Sequence, residues 1–160
     1  MRFTERYLAE DPPPPEALAA GRAAVRAGLE AAVPAGVRDR PRDGIAVAGT
    51  PTSFAAIELR LEPYDPERVH GYRLARSSCE RMLAELAALP LDERRRVPGL
   101  HPERAPTIVA GGLILIETMA LFGFGDMEVS ERDILEGVAL EAGRSPETGS
   151  NSLETRKVPE

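Results

Sequence analysis

Residues 44–59 read GIAVAGTPTSFAAIEL, and this stretch decides the fold class. Its first part, 45–48, is short, apolar and flanked by glycine, which is typical of a buried β-strand. A turn at 49–52 follows, and the alanine-rich, apolar residues to 61 are typical of a helix. A buried strand that passes through a glycine turn into a helix predicts an α/β fold.

The turn consists of Gly49, Thr50, Pro51 and Thr52, and two interpretations of it are open. In one, it binds a phosphate or a nucleotide, because glycine lets a ligand approach the backbone closely and the free N–H groups of a helix start attract anions. In the other, it is a tight strand-to-helix connection that binds nothing, as is common for short glycine motifs.

Composition limits the class of protein. A chain of 160 residues with 42% hydrophobic and 29% charged residues is long enough for one globular domain with a real core. A net charge of −6 and a pI near 5.1 argue against a dedicated nucleic-acid binder, which needs a basic face. Cys79 is the single cysteine, and with His70 and His101 at unrelated spacing neither a disulfide framework nor a zinc cluster is expected.

Neither the N-terminal sequence nor the most apolar segment predicts a membrane protein. The start, MRFTERYLAED, is charged and lacks the apolar core of a signal peptide, so we expect a cytoplasmic protein. Residues 107–125 are apolar, but Glu117 lies in their middle, where a carboxylate is costly in lipid. This segment is therefore predicted to be a buried helix of a soluble core, and Glu117 a buried carboxylate with satisfied partners.

The remaining elements follow from proline, capping and periodicity signals. In the first half of the chain we expect the end of a strand at 2–4, a helix from 15 to about 34, and polar loops at 37–43 and 67–72. A helix should follow the capping box of Ser77 and Glu80, and a short helix should lie at 92–96. We then expect a helix from Pro106 to about Phe122, a strand at 127–129, and a last helix from Ser130 to about Ala142 with Glu136 on its surface. The polar tail, 143–160, is expected to be disordered.

Two further features bear on binding. Arg94 to Arg96 are interpreted as a solvated helix end, with an anion patch as the alternative. IVAGG at 108–112 looks like IAVAG at 45–49, but no turn residue follows its glycines. Gly111 and Gly112 are therefore predicted to lie inside a helix that packs closely on a neighbouring element, and only the earlier motif remains a ligand-loop candidate.

The chain contains five characteristic blocks in order: RFTERYLAEDPP at 2–13, GIAVAGTPTSFAAIEL at 44–59, YDPERVHGYRL at 64–74, LDERRRVPGLHPERAPTIVAGGLILIETM at 91–119, and VSERDILEGVAL at 129–140. Through these blocks it resembles the Ppx/GppA phosphohydrolases, which belong to the actin–Hsp70–sugar kinase superfamily. The resemblance implies an α/β, actin-like ATPase (ribonuclease H-like) second lobe over 1–142, with a mixed sheet, helices and the first hairpin of the lobe missing.

Within this family the GIAVAGTPTS block resembles the adenosine motif, which lies beside the cleft between the two lobes. The resemblance therefore implies that Gly49, Thr50, Pro51 and Thr52 line a phosphate or nucleotide cleft. The sequence departs from the family's motif at two positions: Ala48 stands where a first glycine is usual, and Pro51 stiffens the turn.

The family activity implied is hydrolysis of polyphosphate or of guanosine penta- or tetraphosphate, with Mg²⁺. The first-lobe loop and the glutamate that activates water have no counterpart before Arg2, and the GSNS at 149–152 is read as a chance match. No catalytic residue or metal ligand is therefore assigned, and the chain alone is expected to be inactive.

Two alternatives stay open: a non-catalytic nucleotide- or phosphate-binding module, and one subunit of a split enzyme with a separate first-lobe chain. An unpaired sheet edge near 2–4 is expected to favour association, including a homo-oligomer.

Overall fold

A computed structural model describes residues 2–132, 137–139 and 141. Its three strands, β1 (Ile45–Val47), β2 (Arg73–Ala75) and β3 (Asp126–Ser130), form one sheet in the order β1-β3-β2, with β1 parallel and β2 antiparallel to β3. The helices in chain order are α1 (Arg2–Tyr7), α2 (Pro15–Ala32), α3 (Ala35–Arg38), α4 (Gly49–Glu58), α5 (Pro66–Val69), α6 (Arg76–Ala88), α7 (Leu91–Arg94) and α8 (Ile108–Leu121). The predicted α/β class with a mixed sheet is confirmed.

Helix α8 is the centre of the packing, and α2, α4 and α6 all lie against it. Eight of its 14 residues are buried, which explains why its sequence is apolar almost all round. Among the described residues, no helix is both long and apolar enough to cross a lipid bilayer.

Glu117 joins α8 to α2 through a buried ion pair. The residue is 3% exposed, and its carboxylate accepts hydrogen bonds from Arg26 at 2.9 Å (Nε) and 2.8 Å (Nη2) and lies 3.2 Å from the Nε of Arg22. A buried carboxylate is tolerated when charged donors surround it in this way. The prediction of a satisfied buried carboxylate is confirmed.

The two glycines of α8 allow α4 to approach its backbone. A Cβ atom on Gly111 would lie 2.4 Å from the Oγ1 of Thr50, and one on Gly112 would lie 2.7 Å from the Cζ of Phe54. Neither distance leaves room for a side chain, so both positions require glycine. The predicted close packing is confirmed, and its partner is the helix that follows the glycine turn.

The strand predicted at 2–4 is wrong, because this segment is the first turn of α1. The rings of Phe3 and Tyr7 contact each other at a tilt of 40° with centroids 4.9 Å apart, and Leu8 is buried. Residues four positions apart share one face of a helix, so the spacing of Phe3 and Tyr7 indicates a helix. A prediction limited to residues 2–4 could not include this pair. The unpaired sheet edge is consequently not at 2–4.

The interpretation of residues 45–48 as a buried strand is also wrong in part. Only Ala46 faces the core, whereas Ile45 is 66% and Val47 47% exposed. Within the described chain, β1 lies at the edge of the sheet and one of its faces is open to solvent. Among the described strands, β1 and β2 are therefore the two edge strands of the sheet, and β3 lies between them.

Other differences are small. The loop predicted at 67–72 contains most of α5. It leads into β2, which was not predicted because three residues are too few to show the alternating pattern of a strand. The predicted loop at 37–43 begins inside the one-turn helix α3. Of the predicted last helix, 137–139 and 141 are helical, while Glu136 and the tail at 143–160 lie outside the described residues.

Arg94 is not solvated, which corrects the interpretation of 94–96 as an exposed helix end. It is 4% exposed, and its guanidinium donates to the carbonyl oxygens of Leu86 (2.8 Å), Leu89 (2.7 Å) and Ala105 (3.3 Å) and to Asp11 (3.1 Å). The charge order of the segment did not reveal this, because the carbonyl groups belong to helix ends that meet only in the fold. Arg95 remains exposed and contacts Asp92.

We expect Arg94→Ala to lower the free energy of unfolding by about 3 kcal/mol, because it leaves buried carbonyl groups without donors. Arg95→Ala should change it by no more than about 0.5 kcal/mol, since an exposed ion pair contributes little. Urea denaturation followed by circular dichroism measures both. Equal effects of the two substitutions would contradict the structural role of Arg94.

Candidate functional site

The glycine turn is the first turn of α4, which begins at Gly49 directly after β1. Ala48 occupies the N-cap position with φ +74° and ψ −178°, a conformation that is essentially restricted to glycine. No side chain caps the helix. The alanine noted in the sequence therefore occupies a strained backbone position that turns the chain from strand to helix.

Two backbone donors of this turn are free within the described part of the chain. The N–H groups of Gly49 and Thr50 have no acceptor there, Pro51 has no N–H, and the N–H of Thr52 donates to the carbonyl oxygen of Ala48 at 3.4 Å. The N-terminal end of a helix carries a partial positive charge. The arrangement is therefore suited to an anion.

The two hydroxyl groups of the turn do not point to the same place as these donors. The Oγ1 of Thr50 lies against Gly111 of α8, and the hydroxyl of Thr52 donates to the carbonyl oxygen of Ala48 at 3.2 Å. The structure thus brings the four predicted residues together in one helical turn, but both hydroxyl groups lie against other protein groups.

Arg104 is the residue of this site that sequence reasoning missed. A Cβ atom on Gly49 would lie 2.5 Å from its Cζ and 2.7 Å from both of its Nη atoms, so the guanidinium rests directly on the glycine. Arg104 is exposed, and no described acidic residue pairs with it. The glycine therefore makes room for the guanidinium of Arg104.

A short 3-10 turn, Pro102–Arg104, positions this arginine. Its first residues are fixed by the N–H of Glu103, which donates to the Nδ1 of His101 at 3.4 Å, and it leads into α8. The sequence signal was the proline after His101, which predicts a turn but not the element that the turn faces.

Tyr64 and Glu131 lie on another side of the turn. The Tyr64 hydroxyl donates to the Glu131 carboxylate, and burial together with this carboxylate raises the pKa of Tyr64 to about 12, against a smaller opposing effect of the Thr52 hydroxyl. Glu131 follows β3 as Gly49 follows β1. Both residues thus lie at the carboxyl ends of parallel strands, where α/β proteins commonly bind ligands.

The chemistry available at the turn is anion binding. Its free groups are two amide donors and a guanidinium, none of which is a ligand for a cation, and the described residues contain no cluster of three or more His, Cys, Asp or Glu that could hold a metal. Cys79 is fully buried, and this burial raises the pKa of its thiol to about 12, which disfavours the reactive thiolate.

Comparison with known proteins identifies the family. The model of the Ppx/GppA phosphatase family matches residues 1–145, so the chain belongs to this family. Exopolyphosphatase 2 of Mycobacterium tuberculosis is 31% identical over 145 residues, which are 88% of this chain and 45% of that protein. A bifunctional 3-dehydroquinate synthase/phosphatase of Fusobacterium nucleatum is 33% identical over 97 residues, which cover 61% of this chain and 14% of that protein.

Solved structures agree with this assignment. The Ppx/GppA enzyme of Aquifex aeolicus matches with a TM-score of 0.79 and 28% identity over 88% of this chain and 46% of that structure. The chain therefore has the actin-like fold of this family. It spans a little under half of the mycobacterial protein and of the Aquifex structure, in agreement with the predicted likeness to one lobe of two.

We expect Ala48→Gly to raise the free energy of unfolding by about 1 kcal/mol, because glycine adopts the observed φ of +74° without strain. The matched control is Ala84→Gly in the exposed interior of α6, which should lower it by about 1 kcal/mol. Denaturant titration of both variants measures the sign of the change in the free energy of unfolding. Destabilisation by both substitutions would show that Ala48 is not strained.

Proposed function

We propose that this chain is part of a phosphohydrolase that acts on polyphosphate or on guanosine penta- or tetraphosphate, and that its glycine turn holds a phosphate group. The observation that carries the proposal is the pair of free N–H groups of Gly49 and Thr50 beneath the guanidinium of Arg104. Family membership and the name of the mycobacterial relative support the substrate class.

The geometry suits a phosphoanhydride oxygen. Arginine donates two parallel hydrogen bonds to a phosphate, and a helix start adds backbone donors and a favourable dipole. Phosphoryl transfer depends mostly on positioning and on stabilising negative charge. Gly49, Thr50 and Arg104 would supply one side of that stabilisation, and Pro51 and Thr52 would hold the helical turn that carries the donors.

We further propose that the chain is inactive alone. It spans under half of its relatives, and the resemblance places the water-activating glutamate in the other part. The amide and guanidinium groups at the turn do not fit Mg²⁺, so we derive no metal step from them, and in our proposal the Mg²⁺ ligands lie in that other part. A cytoplasmic location belongs to the same proposal.

A second candidate is that the chain is one subunit of a split two-lobed enzyme, or a binding module that works without catalysis. Ile45 and Val47 are exposed beside the glycine turn, so β1 can accept a strand from another part of such an enzyme. A partner strand added there would lie next to the anion-binding groups.

Titration with pyrophosphate tests the proposed site. We expect Arg104→Ala and Gly49→Val each to weaken binding at least about tenfold, the first by removing the charge and the second by displacing it from the turn. The matched control, Arg95→Ala with Arg96→Ala, should alter mainly the salt dependence, because these side chains are exposed. Isothermal calorimetry measures all three variants.

Binding that survives Arg104→Ala but is lost in the control would contradict the assignment. So would the absence of binding by the parent chain at about 1 mM pyrophosphate, since a dissociation constant above this concentration corresponds to very weak binding. Guanosine tetraphosphate in the same titration separates the two substrate classes. Tighter binding of the nucleotide than of pyrophosphate would favour the guanosine phosphates.

A further inference from the structure

The groups proposed to hold a phosphate belong to two different elements. The free N–H groups of Gly49 and Thr50 lie in the first turn of α4, whereas Arg104 ends the 3-10 turn that leads into α8. That turn is tied to the start of α8, because the N–H and the hydroxyl of Thr107 both donate to the carbonyl oxygen of Arg104, at 3.0 and 3.3 Å. The distance between the amides and the guanidinium therefore depends on how closely α4 approaches α8.

Thr50 carries one of these amides, and its side chain is also a contact between the two helices. A Cβ atom on Gly111 of α8 would lie 2.4 Å from the Oγ1 of Thr50, 3.0 Å from its Cγ2 and 3.3 Å from its Cβ. Both branches of the Thr50 side chain thus face the backbone of α8. They occupy the space that a side chain on residue 111 would need.

Rotation of the Thr50 side chain does not release this contact. In each staggered rotamer, the hydroxyl, the methyl group and the hydrogen of the Cβ atom occupy the same three positions in a different order. Two of these positions face Gly111, so every rotamer leaves a branch in at least one of them. A methyl group on residue 111 would meet that branch at 3.0 Å or less. To relieve the clash, the start of α4 has to move away from α8.

We propose that Thr50 and Gly111 are positioning residues of the phosphate site. Together they set the distance between the amides of α4 and the guanidinium of Arg104. The side chain of Thr50 acts as a spacer, and its hydroxyl is not a phosphate ligand. This inference rests on the proposed function, because it concerns the same site. A small displacement matters there, since hydrogen bonds to a phosphate from two elements require both sets of donors in place.

Helix stability gives no reason for a glycine at position 111. Glycine in the interior of a helix is less favourable than alanine, and Gly111 lies in the first half of α8. In Gly111→Ala, the better helix propensity opposes the cost of the closer packing against Thr50. We therefore expect this variant to remain folded, so that its effect on the site can be measured.

Calorimetric titration with pyrophosphate tests the positioning. Gly111→Ala should weaken binding at least about fivefold. Adding Thr50→Ala should tighten it again at least about threefold, because alanine lacks both branches and leaves only the Cβ contact at 3.3 Å. The matched control is Gly28→Ala on α2, where a Cβ atom meets nothing within 4 Å, and it should bind as the parent does.

Two results of this titration would overturn the proposal. One is binding by Gly111→Ala that equals binding by the parent. The other is a double variant that binds no more tightly than Gly111→Ala. Circular dichroism checks that each variant is folded.

A measurement without ligand separates this inference from the proposed function. In the parent, a nuclear Overhauser effect should connect the Hα protons of Gly49 with the guanidinium protons of Arg104, because a Cβ atom on Gly49 would lie 2.5 Å from the arginine Cζ. Gly111→Ala should weaken this effect, and the double variant should restore it. An effect of parental strength in Gly111→Ala would overturn the spacing role. The expected series in a parent chain that binds no pyrophosphate would support the spacing role and contradict the proposed function.

Discussion

The contact between α4 and the backbone of α8 is the constraint on which the rest of the site depends. Gly111 and Gly112 leave no room for a side chain, and Thr50 and Phe54 of α4 fill the space instead. This close approach fixes where α4 begins. It also brings the segment that precedes α8 next to that beginning, so that Arg104 rests on Gly49. Packing of two helices thus brings together, from residues 55 positions apart, the groups that we propose bind a phosphate.

Buried charge holds the surrounding elements at defined positions. Glu117 fastens α2 to α8, and Arg94 joins the end of α6 and the turn before α8 to Asp11. Both groups have several partners, as buried ions require. Arg94 donates to the carbonyl oxygen of Ala105, the residue after Arg104, so the same buried cation helps to position the exposed one.

Much of this arrangement could be predicted from the sequence, for reasons that differ between elements. The apolar run of α8 and its glycines indicated a buried helix with a close neighbour, and five ordered blocks indicated the family. Local patterns could not show that Arg94 is buried, that β1 lies at an edge or that Arg104 meets Gly49. Each of these depends on which distant element packs nearby, and residue spacing along one element carries no such information.

The central claim is that a phosphate group binds at the start of α4 beside the guanidinium of Arg104. The most direct measurement is the change in backbone amide chemical shifts of the labelled chain on addition of pyrophosphate. The account predicts that the largest shifts occur at Gly49 and Thr50, whose N–H groups have no acceptor within the described chain. Shifts centred on Arg95 and Arg96 instead, or none at saturating pyrophosphate, would contradict it.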